Sequence, residues 1–268
     1  MVVLAPVRLT LVLSFAYFDA PLGSKWLGFG NYIRFFTSPR WLKIFWNTLR
    51  FTLKAVAGNV TVGLLLALAL NRKMPGWLLY FFRLAFFLPV IIAAAFVAIV
   101  WGYFLSDTGI FNYYPTRMGM SPVRWLTYAP NVMPSIVFMD VWNNTGFFMV
   151  IFIAALQGVP RPVIEAAIMD GSPGWRIFWR ITLPWISPVG FFAVVYASIG
   201  ALQVYESLYI LTKGGPGDAT RSMSINIVKE AFGSFQIGYG ASVALVMTAV
   251  ILAITGGQNL LSRRLVQY

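Results

Sequence analysis

Residues 162–184 read Pro-Val-Ile-Glu-Ala-Ala-Ile-Met-Asp-Gly-Ser-Pro-Gly-Trp-Arg-Ile-Phe-Trp-Arg-Ile-Thr-Leu-Pro, a run whose residue types and spacing suit recognition of a partner. Pro162 fits the first turn of a short helix, and Glu165 complements the positive end of its dipole. Ala166 and Ala167 keep one face thin, and Gly171 after Asp170 is a natural left-handed stop. Ser172 is expected to cap a second short helix with Pro173 in its first turn. On it Trp175, Phe178 and Trp179 recur at i, i+3, i+4, Arg176 and Arg180 share another side, and Pro184 closes the segment. Such a pair is too short to span a bilayer and too aromatic to float free. It reads as a helix-in-groove contact, with an amphipathic hairpin resting on lipid headgroups as the alternative.

A second kind of chemistry lies in polar side chains set inside apolar stretches. Asp140, Asn143 and Asn144 form one stripe. Read as a continuous helix, the segment 186–211 places Ser198, Tyr205, Glu206 and Tyr209 on one face with Gln203 at its edge. Polar groups in lipid are costly and normally face a cavity, and sugar hydroxyls pair well with amides, carboxylates and aromatic faces. The competing reading is hydrogen bonding between helices, with Glu206 at an interface. Arg83 reads as a snorkelling anchor. Gly214-Gly215-Pro216 is either a contact for a docking protein or a tight turn.

These residues sit in a chain that is 59% hydrophobic and 17% aromatic, with only 10% charged residues against about 25% in a soluble domain. No Asp, Glu, Lys or Arg lies between Arg83 and Asp107, Arg180 and Glu206, or Glu230 and Arg263. Each stretch covers the roughly 20 apolar helical residues that a bilayer core demands. The expected fold class is therefore all-α, a polytopic helical membrane protein. An outer-membrane barrel would instead show short alternating segments. The net charge of +12 fits interfacial anchoring better than nucleic acid, since no basic run adjoins exposed aromatics in a soluble domain. With no Cys and no His, disulfides, zinc sites and imidazole acid–base chemistry are excluded. No Gly-rich phosphate loop of the Walker type occurs, and no metal site is expected.

About six spans are expected, the first incomplete. Residues 1–18 are apolar but carry Pro6 and Arg8 and lack the marks of a secretory signal. A loop over 19–43 follows, then spans over about 44–70, 78–105 (kinked at Pro89), 131–157, 186–211 and 235–261, and a tail over 262–268. Asn47, Arg50 and Lys54 form a stripe at the start of the second. Counting Lys and Arg in the loops leaves the orientation open.

The 158–185 loop resembles the EAA loop of ABC-importer permeases, through Glu165-Ala166-Ala167, Asp170-Gly171 and Ile181-Thr182-Leu183-Pro184. The likeness extends over about 5–268. Trp46-Asn47-Thr48-Leu49, the run 64–71, Trp142 to Gly146, Leu156 to Pro160 and Leu211-Thr212-Lys213-Gly214-Gly215-Pro216 are similar to the carbohydrate-uptake branch, the maltose-type and glycerol-phosphate-type permeases. In that family a complete first transmembrane helix precedes the residues matching Pro6 to Phe18. Residues 1–18 are thus expected to be its remnant.

The resemblance implies the type I importer permease fold and alternating access in the bacterial or archaeal cytoplasmic membrane. It implies a second, different permease, a dimer of cytoplasmic ATPases that bind ATP and Mg²⁺, and an extracytoplasmic solute-binding protein. This chain itself would need no cofactor and catalyse nothing. Glu165 to Pro184 would then be the coupling loop and 158–185 would lie in the cytoplasm. Rival readings are a glycerol-phosphate permease, for which Arg50 and Lys54 are the nearest cationic candidates, and an ion-coupled secondary transporter, for which Asp140 and Glu206 are the buried acids offered.

Overall fold

A computed structural model describes residues 4–19, 23–72 and 74–265. The first three residues of the expected helix remnant, Lys73 and residues 266–268 of the expected tail lie outside the described residues. Helix α1 (Leu4–Ser14) leads into a hairpin of β1 (Ala16–Asp19) and β2 (Gly23–Trp26), paired antiparallel with Ala16 opposite Trp26. Helices α2 (Gly30–Thr37) and α3 (Trp41–Leu70) follow, so the described residues of the expected loop over 19–43 include a strand and a short helix. Then come α4 (Gly76–Ile91), α5 (Ala94–Phe104), α6 (Ile110–Arg117), α7 (Ala129–Gln157), α8 (Arg161–Met169), α9 (Gly174–Ile177), α10 (Leu183–Leu202), α11 (Glu206–Thr212), α12 (Met223–Val228) and α13 (Ile237–Leu265).

Among the described residues, four helical stretches are long and apolar enough to cross a bilayer: Trp41–Leu70, Ala129–Gln157, Gly174–Leu202 and Ile237–Ser262. A fifth pass is the pair α4 and α5, bent by 102°. The sequence places the kink of this pass at Pro89. In the structure Pro89 stays inside α4 and the break falls three residues later, where Ile92 is extended and its N–H donates to the Pro89 carbonyl at 3.1 Å. Pro89 deprives the ladder of one bond, and the β-branched run Val90-Ile91-Ile92 behind it resists helix, so the chain yields there.

The chain divides into two compact units. Unit 1 comprises 1–52, 98–136 and 201–254; unit 2 comprises 53–97, 137–200 and 255–268. Each of the five passes changes unit once, which supports counting α4 and α5 as one crossing.

Unit 2 has a core of Ala67, Phe148, Met149, Phe152, Ile186 and Ala193, contributed by α3, α7 and α10. Glycine makes these contacts close. A Cβ on Gly63 would lie 2.5 Å from Phe148 Cβ, and one on Gly146 would lie 2.1 Å from the Phe86 carbonyl oxygen. Without a hydrophobic force between helices in lipid, such close approach is what dispersion needs.

Unit 1 packs Phe35, Ile44, Met223, Tyr239 and Val243 together. Its loops are organised by asparagines. Asn31 donates to the Ser14 and Ala16 carbonyls at 2.9 and 3.0 Å. Asn112 donates to the Ser106 and Val123 carbonyls and accepts from the Val123 N–H at 2.8 Å, closing the 106–123 segment on itself. Buried backbone groups in irregular segments require such partners.

Candidate coupling and transport site

The candidate coupling segment starts at Pro160, whose fixed φ suits the residue before α8, and Pro162 stands in the first turn where no N–H is needed. Gly171 ends α8 in the left-handed region at φ +73. Its N–H donates to the Ile168 carbonyl at 2.9 Å, and the Ser172 N–H donates to the Ala167 carbonyl at 3.0 Å. This pair of bonds is the Schellman arrangement, and it gives Asp170-Gly171 a structural role at the helix end.

The second half departs from expectation. Ser172 is not a cap: α9 starts after Pro173, with no side-chain capping bond. Nor is there a second free-standing short helix. A π-helical turn, Phe178–Thr182, joins α9 to α10, so Gly174–Leu202 is one continuous helix. Pro184 does not close the segment but sits in the first turn of α10, where the widened turn ahead of it spares it a clash with the carbonyl four residues back.

The segment is bare. Helix α8 buries no residue at all. Met169 is 86% exposed, Trp175 65% and Trp179 61%. Glu165, Ala166, Asp170, Gly171 and Pro184 are exposed too, while Ala167, Phe178, Ile181 and Leu183 are half-buried. Ile164 and Leu183 rest on the core of unit 2 and Ile177 is buried, which anchors the segment from beneath.

In α7 the predicted polar stripe holds together and gains a member. Asn59 of α3 donates to Asp140 Oδ2 at 3.0 Å, and Asn144 donates to Asp140 Oδ1 at 3.2 Å and to its carbonyl at 3.0 Å. Asn143, one turn along, is 7% exposed. The acceptor oxygens of Asn59 and Asn143 and the hydroxyl of Thr145 are buried without a partner. Unit 2 thus contains a carboxylate steadied by two amides, beside polar atoms with bonding capacity left over. Sequence reasoning missed Asn59. The signal was an amide deep in an otherwise apolar span, the same signal that exposed Asn143. Arg83 is half-buried with its Nε unpartnered.

The second predicted face does not exist as one surface. Helix α10 ends at Leu202, and Gln203 to Tyr205 form a non-helical break before α11. The break is stitched within unit 1, since Ser222 donates to the freed Val204 carbonyl at 3.2 Å. Ser198, in unit 2, is buried and accepts from Gln258 Nε2 at 2.9 Å while donating to the Val194 carbonyl. Gln203, Glu206 and Tyr209 are exposed, and Tyr205 stacks on Tyr209 with centroids 5.1 Å apart. A break cancels the 3.6-residue spacing on which the shared face depended.

The Gly214-Gly215-Pro216 segment is a turn built into unit 1. Gly214 is buried at φ +89, with Arg221 packed where its side chain would be. Thr220 donates to the Gly215 carbonyl at 2.8 Å. Asn47 of α3 donates to the Asp218 and Arg221 carbonyls at 2.7 and 3.3 Å, Lys43 donates to the Gly217 carbonyl, and Thr48 accepts from the Met223 N–H at 3.0 Å. Beside the turn opens a cavity of about 540 Å³ lined by Ser106, Asp107, Thr127, Thr212 and Lys213 among others.

Residues 59–267 match the family described as "Binding-protein-dependent transport system inner membrane component". The chain belongs to this family. Among relatives of this permease, the sulfoquinovosyl glycerol transport system permease of Agrobacterium fabrum is 31% identical over 235 residues, 87% of this chain and 76% of that one. The trehalose/maltose transport system permease of Thermococcus litoralis is 31% identical over 231 residues, 85% and 77% of the two chains. In fold, the permease superposes on a chain of a bacterial ABC transporter involved in alginate import with a TM-score of 0.87, at 24% identity, covering 98% and 91% of the two chains. The permease is thus a multi-pass membrane protein of the type I importer fold and a subunit of a binding-protein-dependent ABC importer.

Proposed function

We propose that this permease forms half of a path for a sugar or sugar-like solute across the cytoplasmic membrane, driven by a separate ATPase. The observation that carries the coupling is the nakedness of 161–180. An apolar and aromatic surface on a helix with no buried residue, anchored from beneath through residues such as Ile164, Ile177 and Leu183, has the form of a ridge for a groove on another protein. In this reading the ATPase dimer binds ATP and Mg²⁺, and its closure moves α8. The 158–185 segment then lies in the cytoplasm. The segments 19–40, 105–128 and 203–236 face outward, toward an extracytoplasmic binding protein that touches the Gly214–Pro216 turn. A second permease of similar fold completes the path.

Solute contact is assigned to Asp140, Asn143 and Asn144, with Asn59 holding the carboxylate in place. The unpartnered amide oxygens accept what a sugar hydroxyl donates, and the carboxylate accepts a second. A sugar-class cargo draws support from the relatives, transport permeases for sulfoquinovosyl glycerol and for trehalose/maltose. Gly174–Leu202 contributes Ser198 to helix packing in this reading, while Gln203, Tyr205, Glu206 and Tyr209 contribute to the outward region.

Gentle affinity purification from native membranes tests the assembly. The expected result is co-elution of a nucleotide-binding ATPase and a second EAA-loop permease, with a co-eluting binding protein reporting the solute through its own ligand. Elution of the chain alone, still competent in uptake, would overturn the ATPase-driven reading and leave Asp140 and Glu206 as ion-coupling residues.

A further inference from the structure

Unit 1 contains a second, smaller cavity of about 140 Å³, at the N-terminal ends of α3 and α13. Its wall carries three arginines, Arg34, Arg40 and Arg221, together with Ser38, Glu230 and Tyr239. Arg221 is 7% exposed and places one Nη 3.0 Å from Asp218 Oδ1, yet its Nε is buried with no partner. Arg40 lies 3.6 Å from the other oxygen of Asp218. Arg34 donates to Gln236 at 2.8 Å, and its guanidinium lies over the Tyr239 ring at 4.5 Å.

Guanidinium groups are commonly gathered in this way around phosphate and carboxylate oxygens. Three positive charges against Asp218 and Glu230 leave a surplus of one. Trp41 at the start of α3 and Tyr239 in the first turn of α13 line the same cavity and add positive potential there, while the last turn of α2 with its cap Ser38 adds the opposite sign, so the three arginines carry the attraction. The volume, about 140 Å³, leaves room for a phosphate group.

We infer that this cavity binds a phosphate group, of the kind carried by a phospholipid headgroup or by free phosphate. A phosphodiester brings one negative charge to the three arginines, and Glu230 supplies an acceptor for the ammonium of an ethanolamine headgroup. The flanks favour a lipid. Ile33 and Phe36 on α2, Leu42 on α3, and Phe232 and Phe235 before α13 are all large apolar side chains left exposed beside the cavity residues in sequence. Acyl chains can cover them while the headgroup enters among the arginines. The site is independent of the solute path in unit 2.

The test measures thermal unfolding of the full chain, purified in detergent with its co-purifying subunits, against three additives: dioctanoyl phosphatidylethanolamine, dioctanoylglycerol and sodium phosphate. The comparison protein is the Arg34→Gln, Arg40→Gln double variant, which spares the buried Arg221. At saturating phosphatidylethanolamine the expected rise for the unaltered chain is on the order of 5 °C, falling by at least half in the double variant. Dioctanoylglycerol should give no rise in either. If sodium phosphate reproduces the rise, and the double variant again loses it, the phosphate site stands with the free anion as its occupant. Equal responses of the two proteins, or no response to either phosphate source, would overturn it. So would a double variant that keeps its lipid response but loses stimulation by the binding protein, since the arginines would then serve a protein contact.

Discussion

Two of the segments that connect spans in this permease are built in opposite ways. Residues 158–185 take their shape from the backbone: a proline start, a Schellman finish at Gly171 and a π-helical turn into α10. Most of their side chains are left to solvent, with Val159 and Ile177 buried and Ile164 and Leu183 resting on the core of unit 2. Residues 212–226 are bound by side chains drawn from elsewhere in unit 1, and everything from Thr220 to Asn226 is buried. The first is a preformed surface whose apolar area is still uncovered, and the second is a fixed frame. The difference teaches where this chain expects a partner to supply the missing contacts, and where it supplies them itself.

Six substitutions break or sharpen that contrast. The largest effect on transport is expected from Gly171→Val, which forces a β-branched residue into the left-handed region at a local cost of about 1–2 kcal/mol and disrupts the α8 exit. Uptake should fall more than tenfold while membrane insertion, followed by fractionation, stays normal; Glu165→Ala should act likewise, and normal uptake in both would remove the segment from the coupling role. Next is Asn47→Ala. It strips two buried carbonyls of their donor, and should lower the stability of unit 1 by about 2 kcal/mol, read as faster proteolysis between 213 and 221. Unchanged cleavage would show that Lys43 and Thr48 suffice to hold the frame.

A smaller effect is expected in the solute path. Asn143→Ala should raise the solute concentration for half-maximal uptake several-fold, the loss of one hydrogen bond of about 1 kcal/mol, with basal ATPase activity of the assembly unchanged. Asn59→Ala should do the same by releasing Asp140, a shift no greater than that of Asn143→Ala. Identical uptake in both variants would return the stripe to helix packing. The smallest effect belongs to Trp175→Ala: no change in thermal stability, since the ring is exposed, but a few-fold loss of ATPase co-purification.

Sequence legibility followed the same line. The spans were readable because long charge-free runs obey the dimensions of the bilayer. The backbone of 158–171 was readable because proline, glycine and alanine at fixed offsets carry their backbone meaning locally. Reading failed where a local rule was overridden by a distant partner. Nothing near Gln203 announces a helix break, because the hydroxyl that satisfies the freed Val204 carbonyl comes from Ser222. Pro184 reads as a terminator until the π-helical turn before it is seen. Asn59 and Asp140 are 81 positions apart, so only the fold makes them a pair. The hairpin Ala16–Trp26 was hidden by an apolar run that suits helix and strand alike.

The central claim, that 161–180 is the seat of an ATPase, is open to one direct measurement. The chain has no cysteine, so Met169→Cys is a single reporter on the most exposed part of α8, with Lys213→Cys as its counterpart at the 212–226 frame. A short thiol-to-amine cross-linker applied to native membranes should join the Met169→Cys variant to a nucleotide-binding ATPase in an ATP-dependent manner. It should leave the Lys213→Cys variant unjoined to that ATPase. Uptake-competent membranes in which the thiol introduced on α8 captures no ATPase under any nucleotide condition would contradict the account.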